Sequence, residues 1–237
     1  MRKINTLFLY LIFSFIAALF VILLVGLTPS RASSFSFLEK SGIASAFILC
    51  CCVGISFTFK PNWLRQYISK SENQIHEMQP KGKQTFQGHH PVCLTFQNHT
   101  IQWWGKMWCA GCLGLCIGLC ISIALMILYL ILEFQPTQIT ALLLLLFGLF
   151  ILVAVFVEIR HRKRHVKVHV LINSLLPLSF FIIIISVIST TGNVLFGFLS
   201  MLLCFLWLDT RIQLSKSHHS MLCRSCLESC KMFSESL

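Results

Sequence analysis

Charged residues are scarce in this chain, and acidic residues are the scarcest of them. Only 11% of the 237 residues are Asp, Glu, Lys or Arg, with 8 acidic residues against 19 basic ones. A chain this poor in charge, with 56% hydrophobic residues, is typical of membrane proteins and not of water-soluble domains. No carboxylate lies inside an apolar run, which argues against a proton or cation relay through acidic groups. The sequence also lacks a glycine-rich phosphate loop and a Ser/His/Asp pattern.

Long uncharged runs are what the chain has instead. They approach the roughly 20 residues that a helix needs to cross a bilayer, so we predict an all-α, polytopic transmembrane bundle of about six spans in a single domain. The predicted spans are 4–27, 42–59, 109–132, 139–157, 168–188 and 192–208. The first is longer than the usual signal-peptide core of about 7–15 residues, so we expect an uncleaved anchor and not a cleaved signal.

The last two spans come from one uncharged run, from Val168 to Leu208. The polar residues from Ser189 to Asn193 interrupt this run, and their Gly and Asn favour a turn. We therefore predict a tight hairpin of two spans. Pro177 is expected to kink the fifth span without ending it, because membrane helices tolerate proline when neighbours satisfy the freed carbonyl.

Basic residues mark one side of the predicted membrane. Six spans put both termini and alternate loops on the same side, and of the 19 basic residues only Arg31 and Lys40 fall on the other side. Because cytoplasmic loops retain Lys and Arg, we predict a multi-pass protein of the cell membrane with cytoplasmic N and C termini, a cytoplasmic loop 60–108 and a cytoplasmic tail 209–237. The retention of Lys and Arg in cytoplasmic loops then explains the positive charge. We therefore expect the protein to contact the bilayer and not nucleic acid.

The tryptophans agree with this orientation, since indoles collect at membrane interfaces. All five lie next to predicted cytoplasmic span ends: Trp63, Trp103, Trp104, Trp108 and Trp207.

Two spaced pairs of Cys and His residues lie in the 60–108 loop and at the start of the third span. His90 and Cys93 bracket two residues, Cys109 and Cys112 bracket two more, and fifteen residues separate the pairs. Each pair can chelate an ion from a tight turn, and two such turns complete the tetrahedral coordination of structural zinc. A reducing cytosol keeps the thiols available. We predict a zinc site at these four residues, with His89 as an alternative imidazole ligand.

A second Cys/His cluster lies in the predicted tail. His219, Cys223, Cys226 and Cys230 can supply four ligands by themselves. The three cysteines alternatively suit an iron–sulfur cluster, although no fourth cysteine is nearby in the sequence. In a third arrangement Cys223 and Cys226 join the first site beneath the bundle. The sequence does not choose among these arrangements.

The other cysteines are expected to pack as small apolar residues. They are Cys50, Cys51, Cys52, Cys116, Cys120 and Cys204. Gly114 and Gly118 form a small-residue pair of the kind that permits close contact between membrane helices.

Three histidines, His161, His165 and His169, repeat every fourth residue among basic residues. We expect them in a solvated segment that faces lipid headgroups. Glu158 and Asp209 are possible partners for this basic loop.

The stretch from His90 to Gly118 resembles an uncharacterised family of prokaryotic membrane proteins, a domain of unknown function. Its members carry a Cys/His element, a short polar stretch and a Cys-x-x-Cys-x-Gly motif that opens a transmembrane helix. The matching residues are His90, Cys93, Cys109, Cys112, Gly114 and Gly118. Family members typically have Arg where this chain has Gly111. The resemblance implies a membrane protein with a metal-binding motif and no assigned activity.

Three functions remain open, and we expect a non-enzymatic one. The first is a structural zinc site that fixes the long loop against the third span, in an assembly or regulatory subunit of a membrane complex. The second is metal transport or delivery through the bundle. The third is a membrane thiol oxidoreductase, since the dipole at a helix N-terminus favours a thiolate. The sequence from His89 to Cys93 also resembles the Asp-His-His-Cys core of protein S-acyltransferases, but the Asp is missing and the spacing differs.

Overall fold

The computed structural model describes residues 2–28, 37–59, 86–87, 99–103, 106–132, 135–160 and 165–224. These residues form six α-helices and three short β-strands. The helices are α1 (Arg2–Leu27), α2 (Phe37–Phe59), α3 (Ala110–Leu132), α4 (Gln138–Arg160), α5 (Val166–Thr191) and α6 (Val194–Arg224). The strands are β1 (Phe86–Gln87), β2 (Thr100–Trp103) and β3 (Lys106–Cys109).

All six helices are long and apolar enough to cross a membrane. The predicted all-α bundle with about six spans is therefore confirmed, and the chain is a multi-pass membrane protein. Large apolar side chains cover its outer surface, among them Leu27, Phe150 and Leu195, which are 76%, 69% and 75% exposed. Such a surface is stable in contact with lipid and not with water.

Helix α5 is the central helix of the bundle, because a larger share of it is buried than of any other described span. It contains Pro177 and continues past it to Thr191. Gly192 then adopts a left-handed conformation, with φ 57°, and its N–H donates to the carbonyl of Ile188 over 3.0 Å. The side chain of Asn193 accepts from the N–H of Leu195 at 2.8 Å and so caps the start of α6. The predicted break between the two spans is confirmed.

Helices α3 and α5 approach each other closely. A methyl group on Gly114 would overlap the carbonyl oxygen of Val170, and one on Gly118 would overlap the carbonyl oxygen of Ser174. Only glycine fits where two backbones approach this closely. The small-residue pair therefore packs α3 directly against the central helix, as predicted.

Helix α6 is longer than the predicted sixth span. It continues from the expected end at Leu208 to Arg224, and the first part of the predicted tail is therefore helical. No Gly or Pro interrupts this stretch. Its Thr210 and Leu214 side chains are buried against the bundle, which explains why the helix does not end at the last apolar run.

Trp207 lies inside the bundle. It is fully buried, and its Nε1–H donates to the carbonyl oxygen of Ser14 on α1 at 3.1 Å. The sequence places this indole next to a predicted cytoplasmic span end, and the structure shows that the hydrogen bond and apolar packing between α1 and α6 hold it in the core. The Ser14 and Thr210 hydroxyls, 2.7 Å apart, join the same two helices.

The three strands form one small sheet in the order β1, β3, β2. Strand β1 runs parallel to β3 with Gln87 opposite Trp108, and β2 runs antiparallel to β3 with Thr100 opposite Cys109. Because β3 leads directly into α3, the sheet lies at one end of the bundle, which we name the sheet end. The ring of Phe59, the last residue of α2, lies 5.7 Å from that of Trp108, so α2 ends there too.

Candidate functional site

The Cys-x-x-Cys motif lies where the sheet meets the bundle. Cys109 is the last residue of β3, and Cys112 lies in the first turn of α3. The Cys109 side chain is 1% exposed, and the two thiols are hydrogen-bonding partners. None of the described cysteines is in a disulfide. The motif therefore presents two adjacent, reduced sulfurs at the sheet end.

Gly111, between the two cysteines, lies at the centre of a polar cluster. A methyl group on Gly111 would lie 3.4 Å from Nη2 of Arg211, 3.4 Å from Nε2 of His169 and 3.9 Å from Sγ of Cys109. These three atoms come from α6, α5 and β3 respectively. The absence of a side chain at Gly111 thus lets a guanidinium, an imidazole and a thiol converge on one point.

Buried imidazoles form the second part of this cluster. His99, just before β2, is 6% exposed, and its ring centroid lies 5.8 Å from that of His169 and 6.0 Å from that of His219. The ring of His218 lies 6.5 Å from that of His219. The helical extension of α6 carries this last pair. His219, predicted as a ligand in the tail, therefore lies next to His99 and His218.

A hydrogen-bonded network fixes the orientation of His169. Its Nδ1 lies 3.0 Å from a carboxylate oxygen of Glu158, and the Asn173 side-chain amide donates to the His169 carbonyl at 2.6 Å. The Asn173 side-chain oxygen accepts from Nη2 of Arg211. With Nδ1 next to Glu158, the other ring nitrogen of His169, Nε2, is the atom that lies next to Gly111. In metal sites, the ring nitrogen of a histidine that does not bind the metal commonly donates its N–H to such a carboxylate.

Arg211 is the buried cation of the cluster. Its side chain is 9% exposed, and it interacts electrostatically with Cys112, Cys109 and Glu158. The guanidinium therefore places a positive charge next to the two thiols of the motif.

The described residues do not complete a metal site. Among them, no group of three or more His, Cys, Asp or Glu side chains is placed to hold one ion. Of the four residues predicted to bind zinc, Cys109 and Cys112 are described and adjacent. The predicted ligands His89, His90, Cys93, Cys226 and Cys230, and the side chain of Cys223, lie outside the described residues. Zinc therefore stays a prediction.

His169 corrects one prediction. It is buried and not part of a solvated, headgroup-facing segment, whereas His165 is exposed as expected and His161 lies outside the described residues. Asn173, one helical turn after His169, is the sequence feature that could have predicted this burial. An amide and an imidazole on one face of an otherwise apolar span are costly in lipid, which marks them as candidates for a polar site.

The sulfurs inside the spans differ in their surroundings. Cys51 and Cys204 are buried and pack in the apolar core, as predicted. Cys52 and Cys120 are exposed on the outer surface of the bundle. These exposed cysteines provide matched controls for the motif.

No protein-family model, curated protein or solved structure matches this chain. The geometry of the sheet end is therefore the basis on which function is proposed.

Proposed function

We propose that this chain is an integral membrane protein with a zinc-type Cys/His site on its cytoplasmic side, whose role is structural. Cys109 and Cys112 supply two ligands, and His90 and Cys93 supply the other two. The ion fixes the loop 60–108 to the start of α3. We assign the protein as an assembly or regulatory subunit of a membrane complex and not as an enzyme.

The register of the sheet is the observation that carries this proposal. Gln87 pairs with Trp108, and His90 follows Gln87 by only three positions along the chain. At the other end of the segment, Thr100 pairs with Cys109 itself. The described residues Gln87 and Thr100 thus both lie beside the Cys-x-x-Cys motif. Since consecutive Cα atoms are about 3.8 Å apart, the short segment from Gln87 to His90 allows His90 to reach Cys109.

The electrostatics of the cluster are compatible with a site of three thiolates and one imidazole. Zinc binds Cys as the thiolate and His as the neutral imidazole, so Cys93, Cys109, Cys112 and His90 around one Zn²⁺ give a centre with one net negative charge. Arg211 interacts electrostatically with Cys109 and Cys112 and can compensate the negative charge of the zinc centre, and it also interacts with Glu158. The cluster therefore does not carry an uncompensated positive charge that would repel a cation.

The cytoplasmic orientation rests on the basic residues nearest to the site. The described cations Arg160, Lys167 and Lys216 lie at the sheet end of α4, α5 and α6. Lys40 lies near the opposite end of α2, whose last residue packs on Trp108. An excess of basic residues at the sheet end favours the cytoplasm for that end.

Elemental analysis of the full chain, purified in detergent, tests the proposal. We expect about one zinc per chain, as for a four-ligand structural site, and almost none in the Cys109→Ser and Cys112→Ser double variant. The matched control removes two lipid-facing thiols, by Cys52→Ser and Cys120→Ser, and should keep its zinc. A zinc-free wild-type protein, or equal zinc in both double variants, contradicts the proposal.

A thiol oxidoreductase is the second candidate, because the Cys109 and Cys112 thiols already lie in hydrogen-bonding contact. In that case the pair cycles between dithiol and disulfide and holds no ion. Thiol labelling after equilibration in redox buffers separates the two functions. A reversible disulfide that forms equally with and without added zinc supports the oxidoreductase, and protection of both thiols by zinc supports the structural site.

A further inference from the structure

A cavity of about 530 Å³ extends from the cluster at the sheet end into the bundle. It lies between α2, α3, α5 and α6, and its volume is within the range of about 300–1,000 Å³ that is usual for small-molecule sites. Along α6 its lining extends from Met201 to Ile212. At 1.5 Å per helical residue this corresponds to roughly 16 Å, about half the hydrocarbon thickness of a bilayer. The cavity is therefore about as deep as one leaflet.

The lining of this cavity is apolar apart from one end. Among the described residues that line it, Arg211 is the only charged one, and Cys112 and Thr58 lie at the same end. Phe57 on α2 and Phe205 on α6 also line it and are 37% and 50% exposed. The cavity thus opens between α2 and α6 onto the surface that faces lipid.

Arg211 has unused hydrogen-bonding capacity at the charged end. Its Nη2 donates to Asn173, but its buried Nε has no hydrogen-bond partner among the described residues. Glu158, the nearby carboxylate, is bonded to His169 through both of its oxygens, at 3.0 Å and 3.2 Å. A buried N–H without an acceptor is costly, and an anionic oxygen is the acceptor that suits a guanidinium best.

From these observations we propose that the cavity binds an anionic lipid, with one acyl chain between α2, α3, α5 and α6 and its negatively charged oxygens on Arg211. The lateral opening admits the chain from the bilayer, and the charged end lies at headgroup depth. The head is a carboxylate or a phosphate, from a free fatty acid or an acidic phospholipid. The site depends on the membrane placement of the helices and needs no zinc ion to bind lipid, although Arg211 also interacts with the Cys109 and Cys112 thiols.

Photolabelling of the full chain in phosphatidylcholine nanodiscs tests this site. The probe is palmitic acid with a diazirine in its chain, and the matched probe is its methyl ester, which has the same chain without the charge. We expect the acid to label peptides of α5 and α6 that line the cavity about tenfold more than the ester, the factor that one charge-assisted hydrogen bond provides. Competition by phosphatidic acid identifies a phospholipid head, and competition by palmitic acid alone identifies a fatty acid.

Paired variants locate the site and separate it from the zinc centre. Arg211→Gln should abolish the preference for the acid, whereas Lys216→Gln, an exposed cation on the same helix, should not. Cys204→Phe fills the cavity and should remove labelling, whereas Leu202→Phe, on the lipid-facing side of α6, should leave it unchanged. Zinc content is measured on every variant. Equal labelling by acid and ester, or labelling that survives in Cys204→Phe, overturns the proposal whatever the zinc content is.

Discussion

The glycine contact between α3 and α5 yields a quantitative prediction about Gly118. In the variant Gly118→Ala, the added methyl group overlaps the carbonyl oxygen of Ser174 and lies 2.9 Å from its Cα atom. Ordinary contacts at this type of position begin near 3.4 Å. The neighbour is backbone within the central helix and cannot rotate away, so α3 has to move from α5.

The size of the effect follows from two opposing terms. Overpacking of a well-packed interface costs about 1–3 kcal/mol. Alanine offsets up to about 1 kcal/mol of this cost, because its helix propensity exceeds that of glycine. A net loss of about 1–2 kcal/mol in a chain of this length lowers the midpoint of thermal unfolding by about 2–8 °C.

Thermal unfolding of the purified protein in one detergent, at one heating rate, measures this effect. The matched control is Gly42→Ala on α2, where an added methyl group meets nothing within 4 Å. We expect Gly42→Ala to unfold at or slightly above the wild-type midpoint, and Gly118→Ala well below it. If the two variants unfold at the same temperature, the backbones of α3 and α5 are not as close as described, and the arrangement of the cluster around Gly111 loses its support.

Three further predictions concern the polar contacts and the orientation. Glu158→Gln weakens the bond to His169 and should destabilise the protein by about 1–3 kcal/mol, seen as a lower unfolding midpoint than that of Glu39→Gln at an exposed position. Trp207→Phe removes the bond to Ser14 and should cost about 1 kcal/mol in the same assay, and an unchanged midpoint would contradict this hydrogen bond. A green fluorescent protein fused to the C-terminus should fluoresce and an alkaline phosphatase fusion should be inactive, and the reverse pattern would contradict cytoplasmic termini.

The span architecture could be predicted from the sequence because hydrophobic length alone specifies a membrane helix. The break at Gly192 could be predicted for a similar reason, since its signal is local. The extension of α6 to Arg224 could not, because its stability comes from tertiary burial of residues such as Leu214 within a polar stretch. The small sheet was also missed, because its strands are only two to four residues long, too short for a pattern of apolar and polar residues to identify them.

The cluster at the sheet end was only half predictable. The spacing of Cys109 and Cys112 marks a ligand pair, and the structure brings these two thiols together. The approach of His169 and Arg211 depends instead on how α5 and α6 pack, because they follow Gly111 by 58 and 100 positions in the chain. No local sequence pattern predicts that His169 and Arg211 converge. In the sequence, His169 resembles a residue of a headgroup-facing segment, and Arg211 resembles a basic residue at a cytoplasmic span end.

X-ray absorption at the zinc edge tests the central claim most directly, because it reports both the ion and its ligands. For the purified full chain, the account predicts a four-coordinate ion with about three sulfurs near 2.3 Å and about one nitrogen near 2.0 Å. The sulfur contribution should decrease by about a third in Cys109→Ser and stay unchanged in Cys52→Ser. A zinc shell made only of nitrogen and oxygen, or a protein without zinc, would contradict the account.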